Sequence, residues 1–294
     1  MLDKWKETLM LGAGVLISGI TLAIAVSQFR GRKKPKSLKD MVYRVLPNSI
    51  VKVPTKEEKV TEQEITFLIS IKDKTWKKPK KGETKTNPFL YPFEPGINIA
   101  NLGQNYRLLY NKYPISEYHT LIVTKKFERQ SSPLKKEDLE VMYDTMLELR
   151  CFAFYNSGPA SGYSQEHKHI QLIPYQAVPQ IPIEHIVSEY LQNAPFTLPN
   201  YQFKHLLHGF TEKSQVFPVF NKLLALLNPS HSYNLVVTER WMLLVSREKD
   251  KGFDKFDLNA LGYAGMIVLQ SEDDLEFLKK IGPLTVLRDA AVKA

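Results

Sequence analysis

Residues 156–171 read NSGPASGYSQEHKHIQ. Two glycines and three serines, set between the apolar runs 152–155 and 170–173, spell a turn between two strands. Glycine has no Cβ, so such a loop lets backbone N–H groups come close to an anion, and phosphate is the natural guest. Directly after it His167, His169 and Gln171 alternate at i, i+2 and i+4, which on an extended strand puts all three side chains on one face. Taken alone, His-x-His is open between a structural pair, a nucleophile, a general base and a metal ligand. A zinc site needs further ligands, and the chain has a single cysteine, Cys151. Beside a phosphate loop the pair points to phosphoryl chemistry. The imidazole attacks phosphorus to form a phosphoramidate, while loop amides and the Gln171 amide stabilise charge on the non-bridging oxygens.

Short β-branched and aromatic runs at 64–71, 97–102, 106–110 and 120–123 are separated by turn residues and read as strands. Ser132 supplies a capping hydroxyl before Pro133, and Leu139, Met142, Tyr143, Met146, Leu147 and Leu149 follow at helical spacing, which predicts a helix to about Arg150. A helix near 219–227, strands at 233–237 and 242–245 and a last helix over 273–281 complete the pattern. The predicted fold class is α+β, with an antiparallel sheet and flanking helices.

The chain has 294 residues, 43% hydrophobic and 24% charged, which excludes wholesale disorder. Its net charge of +9 is unevenly placed: residues 1–85 hold 19 Lys and Arg against 9 Asp and Glu, the remainder 21 against 22. A nearly neutral body argues against nucleic acid as the partner, because a basic patch would sit on the folded surface that meets phosphate. Cys151 allows no intrachain disulfide, as in a reducing compartment, and reads as a buried small hydrophobe. Residues 9–29 (LMLGAGVLISGITLAIAVSQF) carry no charge and are long enough for about 30 Å of hydrocarbon. With RGRKKPK following, the expectation is a single-pass N-terminal transmembrane helix that keeps the catalytic body on the cytosolic side.

The run FYNSGPASGYSQEHKHIQ (154–171) resembles the active-site segment of diadenosine tetraphosphate phosphorylases, or ATP adenylyltransferases, of the histidine-triad superfamily, relatives of galactose-1-phosphate uridylyltransferase. SLKDMVYRVLPNSIVKV, FLISIKDKTWKKP, LLYNKYPISEYHTLIVTKKF and SSPLKKEDL are similar to further family segments, as are YNLVVTERWMLLVSR, LNALGYAGMIVL and KKIGPLTVL toward the end. The resemblance covers about Ser37 to the C-terminus and implies an N-terminal catalytic part with His-x-His-x-Gln (37–195) and a C-terminal adenylyltransferase part (196–294); the expected membrane anchor and basic linker (1–36) lie outside it.

The resemblance also implies roles. His169 is the nucleophile, adenylylated at the α-phosphate, and His167 its structural neighbour. Asn156, Gly162, Tyr163, Ser164, Gln165 and Gln171 hold phosphates, Asn111 and Lys112 meet nucleotide, and Lys78 contributes a cation. Asn234, Thr238 and Met266 line the nucleotide site. Gln171 stands where hydrolase branches have a third histidine; an amide only hydrogen-bonds the phosphoryl group, so transfer is favoured over hydrolysis. The implied activity is phosphorolysis of diadenosine tetraphosphate by inorganic phosphate to ADP and ATP. The alternatives are a membrane-associated nucleotide sensor without turnover and a dinucleoside polyphosphate hydrolase. No organic cofactor and no protein metal site are expected. A divalent cation such as magnesium would accompany the polyphosphate, coordinated largely by the ligand itself. Departures from the family pattern are Gln270 where a lysine is common, the bulky Tyr163 in the turn, and Asp73 where a proline is common. His119 reads as structural, and His185, His205, His208 and His231 show no ligand spacing.

Overall fold

A computed structural model of the chain describes residues 37–76, 87–228 and 232–294. The chain divides between Met41 and Val42. Of the first unit only residues 37–41 are described, and from Leu38 they belong to a short helix α1 (Leu38–Val42). The second unit carries the sheets and the remaining described helices.

That unit opens with a hairpin, β1 (Thr55–Glu62) and β2 (Ile65–Lys72), then β3 (Asn98–Leu102), β4 (Tyr106–Tyr110) and β5 (Thr120–Thr124). Helix α2 (Lys136–Leu149) leads to β6 (Cys151–Ser157), a 3-10 turn (Pro159–Ser161) and β7 (His169–Pro174). After α3 (Glu184–Tyr190) come β8 (His205–Gly209), α4 (Lys213–Leu227), β9 (Tyr233–Val237) and β10 (Trp241–Ser246). The chain ends with β11 (Lys251–Gly252), β12 (Phe256–Asp257), α5 (Ala260–Tyr263), β13 (Met266–Leu269), α6 (Glu272–Ile281) and α7 (Pro283–Ala290). Eight strands form one antiparallel sheet in the order β3-β4-β5-β7-β6-β9-β10-β8, drawing on both sides of the expected boundary at 195/196. A smaller sheet, β1-β2-β13, has β13 parallel to β2.

Helix α2 packs on β6 and β7 and helix α4 on β8 and β10, and the two touch each other. A second layer closes over Phe152 and Phe154 of β6 and Trp241, Leu243 and Val245 of β10: there Ile65, Phe67, Ile69 and Ile71 of β2 meet Leu278 and Leu287 of α6 and α7. Strand alternation does the sorting, since the intervening Leu68 and Ser70 of β2 face a cavity instead. Each fully buried large side chain contributes about 1.5–3 kcal/mol, which makes this sandwich the scaffold for the loops at its strand ends.

Lys168, between the two histidines of the motif, is anchored away from them. Its buried Nζ donates to Glu128 Oε2 at 2.9 Å, to Oδ2 of the buried Asp138 at 3.2 Å and to the Pro133 carbonyl at 3.2 Å. Asp138 also accepts the Lys135 N–H at 2.7 Å and the Tyr106 hydroxyl at 2.8 Å. One buried carboxylate thus caps α2 and ties the helix to β4 and to the His-x-His segment. This moves the start of the helix: the cap is Asp138 closing on Lys135 and not the Ser132 hydroxyl, so α2 begins at Lys136. Helix α4 likewise starts before Pro218, because Glu212 and Gln215 close its first turn upstream of the proline.

The predicted fold needs one correction. The expected membrane span, residues 9–29, lies outside the described residues. Among the described residues no helix is long and apolar enough to cross a membrane. The longer ones are amphipathic, and α4, with 15 residues, spans only about 22 Å at 1.5 Å per residue. The α+β fold therefore stands without the transmembrane element, and the single-pass anchored localisation with its membrane partner falls with it.

Asp138→Ala should leave the Lys168 ammonium short of a buried partner and the first turn of α2 uncapped. A loss of about 3 kcal/mol is expected in urea unfolding; an unchanged midpoint would show the network to be dispensable.

Candidate functional site

His169 opens β7, opposite Val123 of β5. On its other side the β6–β7 ladder runs from Cys151 opposite Pro174 to Phe154 opposite Gln171. The same register sets Asn156 opposite His169, where the direct pairing gives way to a side chain. Gln130, fully buried, accepts the His169 N–H on Oε1 at 2.8 Å, and its Nε2 donates to the carbonyls of Asn156 at 2.8 Å and His169 at 3.2 Å. One primary amide thus replaces the strand-to-strand bonds and satisfies backbone groups that would otherwise be orphaned. Gln130 is itself held by the Glu166 carbonyl, 2.7 Å from its N–H, and by the Tyr155 hydroxyl, which donates to its carbonyl.

The His169 imidazole is nine-tenths or more buried, and its Nδ1 lies 2.9 Å from the His167 carbonyl. A carbonyl only accepts, so Nδ1 carries the proton and Nε2 keeps its lone pair. Burial holds the ring pKa down to about 4, partly offset by that hydrogen bond, so the group is neutral at physiological pH. Phe89 packs its ring 5.3 Å from that of His169. His167 precedes the strand and is fastened to the scaffold: its Nε2 lies 2.9 Å from the Thr124 carbonyl and its Nδ1 2.9 Å from Asn87 Nδ2. The two histidines differ in kind, one fully engaged and one with a free nitrogen.

Gln171, two residues along β7, lines a cavity of about 590 Å³ with Asn111, His119, Phe154 and Met266. Its orientation follows from donors and acceptors that admit only one arrangement. The Tyr113 N–H donates to Asn111 Oδ1 at 3.1 Å, so Asn111 Nδ2 faces His119 Nδ1 at 3.2 Å as donor. His119 then carries its proton on Nε2 and donates to Gln171 Oε1 at 3.1 Å, which turns the Gln171 NH2 away. Burial keeps His119 neutral, with its pKa down to about 4.

The loop after β6 needs its glycine. Gly162 has φ +78°, and a Cβ there would lie 2.0 Å from the Leu258 carbonyl oxygen. Tyr163 reaches Glu166 Oε1 at 3.2 Å, Ser164 is exposed and Gln165 is half-buried. Asn156 Oδ1 accepts from Asn234 Nδ2 at 2.8 Å and from the Ala260 N–H at 2.9 Å. Asn156, Asn234, the 162–165 loop and His169 are thus gathered around one end of the β6–β7–β9 strands, with Gln171 next along β7.

Other expected residues lie elsewhere. Thr238 follows the far end of β9, about 13 Å from Asn234 at 3.3 Å per residue. Its hydroxyl accepts from the Arg240 and Trp241 N–H groups at 3.2 and 3.1 Å in the β9–β10 turn. Lys112 pairs with Glu94 and lies 5.2 Å over the Tyr113 ring. Lys78 lies outside the described residues. Gln270 accepts from Lys72 at 3.3 Å and donates to Asp257 at 3.3 Å. Among the described residues no three His, Cys, Asp or Glu side chains gather as a metal site. Of the other histidines, His205 is fully used, accepting the Leu198 N–H at 2.8 Å and donating to the Phe203 carbonyl at 2.7 Å. Sequence reasoning missed Gln130, and it read His119 as structural where the fold sets it on the cavity wall.

Gln130→Glu keeps the acceptor for His169 but turns an anionic oxygen onto two carbonyls. A deficit of about 2–4 kcal/mol against the native chain is expected at pH 8. It narrows toward pH 5 as the carboxyl regains a proton it can donate, and a pH-independent deficit would contradict this. A second expectation concerns acid. His119, His169 and His205 all sit near 4 in the fold against about 6.5 unfolded. The unfolded chain alone binds protons between those values, so stability is full above pH 6.5 and falls toward pH 4. Urea midpoints across that range check it, and replacing His205 with Phe should flatten the slope.

The sequence matches two family descriptions end to end: Ap4A phosphorylase N-terminal domain over residues 35–189, and ATP adenylyltransferase C-terminal domain over residues 199–293. Diadenosine 5',5'''-P1,P4-tetraphosphate phosphorylase 2 of Saccharomyces cerevisiae is 29% identical over 261 residues, covering 74% of this chain and 79% of that protein. Protein APA1 of the same yeast is 28% identical, covering 76% and 81%. The fold is that of the crystal structure of yeast Ap4A phosphorylase Apa2, with a TM-score of 0.74 at 20% identity over 88% of this chain and 99% of that one. Apa2 in complex with Ap4A gives 0.73 at 21% identity, over 87% and 97%. By the extent of these matches, the chain belongs to the Ap4A phosphorylase and ATP adenylyltransferase family.

Proposed function

We propose that this chain is a nucleotidyltransferase that splits diadenosine tetraphosphate with inorganic phosphate into ADP and ATP. The observation that carries the reading is the state of His169: neutral, buried, with Nδ1–H spent on the His167 carbonyl and Nε2 free. A nucleophile needs that lone pair at neutral pH, and a fixed tautomer avoids a proton transfer before attack.

Nε2 attacks the α-phosphorus, the bond from phosphorus to the bridging oxygen breaks, and ATP leaves with that electron pair. The adenylyl group stays on His169 as a phosphoramidate, and the positive charge on the ring is shared through Nδ1–H with the His167 carbonyl. An oxygen of inorganic phosphate then attacks the same phosphorus, the P–N bond breaks, and ADP forms while His169 regains its lone pair. Each step turns over one bond at one phosphorus, and positioning does most of the work. The NH2 groups of Gln171 and Asn156 meet the non-bridging oxygens as donors. Gly162, Tyr163, Ser164 and Gln165 cradle the neighbouring phosphates, and the cavity beside Asn111 and Met266 takes the nucleoside. Lys78 and Lys112 supply cations to the polyphosphate, while Thr238, at the far end of β9, closes the β9–β10 turn. A divalent cation accompanying the polyphosphate would take most of its coordination from the ligand's own oxygens.

Incubating the full chain with diadenosine tetraphosphate, with and without phosphate, separates the possibilities. ATP and ADP in equal amounts, only when phosphate is present, are expected, and His169→Asn should lower turnover by at least about 10⁴-fold. AMP with ATP irrespective of phosphate would mean hydrolysis, and binding without products would mean a sensor.

A further inference from the structure

Arg247 is almost fully buried, and its partners are neutral oxygens. Nη2 donates to the Lys249 carbonyl at 2.7 Å, Nε to Ala290 at 3.3 Å, and Nη1 to Leu258 at 3.2 Å and to Asn234 Oδ1. A guanidinium only donates, so the oxygen of Asn234 must face Arg247 and its nitrogen must face the other way. That nitrogen donates to Asn156 Oδ1 at 2.8 Å and to the Ser161 carbonyl at 2.9 Å. The Ala260 N–H, a second group that only donates, meets the same Asn156 oxygen. Two fixed donors therefore settle the orientation of the Asn156 amide without ambiguity. Its Nδ2 is left buried with no protein partner. Buried donors are paired in nearly all proteins, so an orphan beside the nucleophile marks a place for a ligand oxygen.

We propose that Arg247 and Asn234 are positioning residues for phosphoryl transfer: they hold the Asn156 amide with its NH2 presented to the phosphoryl oxygens. This rests on the reading that His169 carries the adenylyl group, and it assigns Asn234 to the relay behind the donor instead of to the nucleotide itself. An anion is the occupant the site selects, because the orphan is a donor and the buried charge linked to it through Asn234, Arg247, is positive.

Asn234→Asp tests it in the full chain. N234D gives the buried guanidinium a carboxylate, which offsets the new repulsion between its second oxygen and the Ser161 carbonyl, and melting temperature checks that the variant folds. It also sets an anionic oxygen against Asn156 Oδ1; a charge-assisted bond from the Asn156 NH2 to that oxygen outweighs the neutral Ala260 N–H bond given up, so the Asn156 amide turns and offers oxygen to phosphate. Turnover number should fall about 100-fold, as for loss of one such donor. Asn156→Ala should fall similarly, and N234D added to it should cost no more than about twofold further. Asn234→Ala, which frees the amide without adding charge, should lose about tenfold and serves if N234D fails to fold. Native turnover in a folded N234D, or losses that multiply in the double variant, would overturn the relay. If the native chain itself forms no adenylyl-enzyme, it is the functional reading that fails and not the relay.

Discussion

The site depends on how two neighbouring strands part company. Up to Phe154 and Gln171 the strands β6 and β7 are paired directly; one step further the Gln130 side chain spans them and takes three of their backbone groups. A sheet that stayed fully zipped would fix His169 but leave little room beside it, and a frayed one would leave the room but not the rigidity. A buried amide has the donors and the acceptor to do both jobs. On the opposite side of the motif Lys168 is drawn into the Glu128–Asp138 carboxylates under helix α2. His169 is thus braced from its own backbone and from the residue before it, so its ring can be positioned before any ligand arrives.

A common logic orients the groups around that ring. Two chains of hydrogen bonds begin at groups that can only donate, the Tyr113 N–H in one and Arg247 with the Ala260 N–H in the other. They end at Gln171 and Asn156 with the amide oxygen engaged from behind. The side chains so oriented present a neutral imidazole and two NH2 groups, the complement of the anionic phosphoryl group in the proposed reaction. It also explains how a body of nearly zero net charge recognises a polyphosphate: local dipoles in a dry site count for more than overall charge.

Much of this was legible in the sequence wherever one short-range rule decides. The Gly/Ser turn and the His169–Gln171 alternation gave the central strand pair, and clean apolar runs located β2, β4, β5, β9 and β10. Strand β1, TKEEKVTE, escaped because it is a charged, half-exposed edge. Helix α7 escaped because Gly282 ends α6 and Pro283 restarts a helix at once. Gln130 lies in a polar stretch between β5 and α2 and has no motif; its meaning is tertiary, fixed only when β6 and β7 come to either side. Arg247 looks like the end of an apolar strand, and nothing local says that its charge is buried. The apolar run 9–29 lies outside the described residues; its length, hydropathy and basic flank carried the membrane expectation, and no described helix is long and apolar enough to span a membrane.

The most direct measurement is the site of covalent labelling. The chain is mixed with diadenosine tetraphosphate carrying a labelled α-phosphate, without inorganic phosphate, quenched in base, digested and sequenced by mass spectrometry. The account predicts one acid-labile adenylyl group per chain on His169, at Nε2. Label on His167 or His119, or no covalent label in a chain that still turns over, would contradict it.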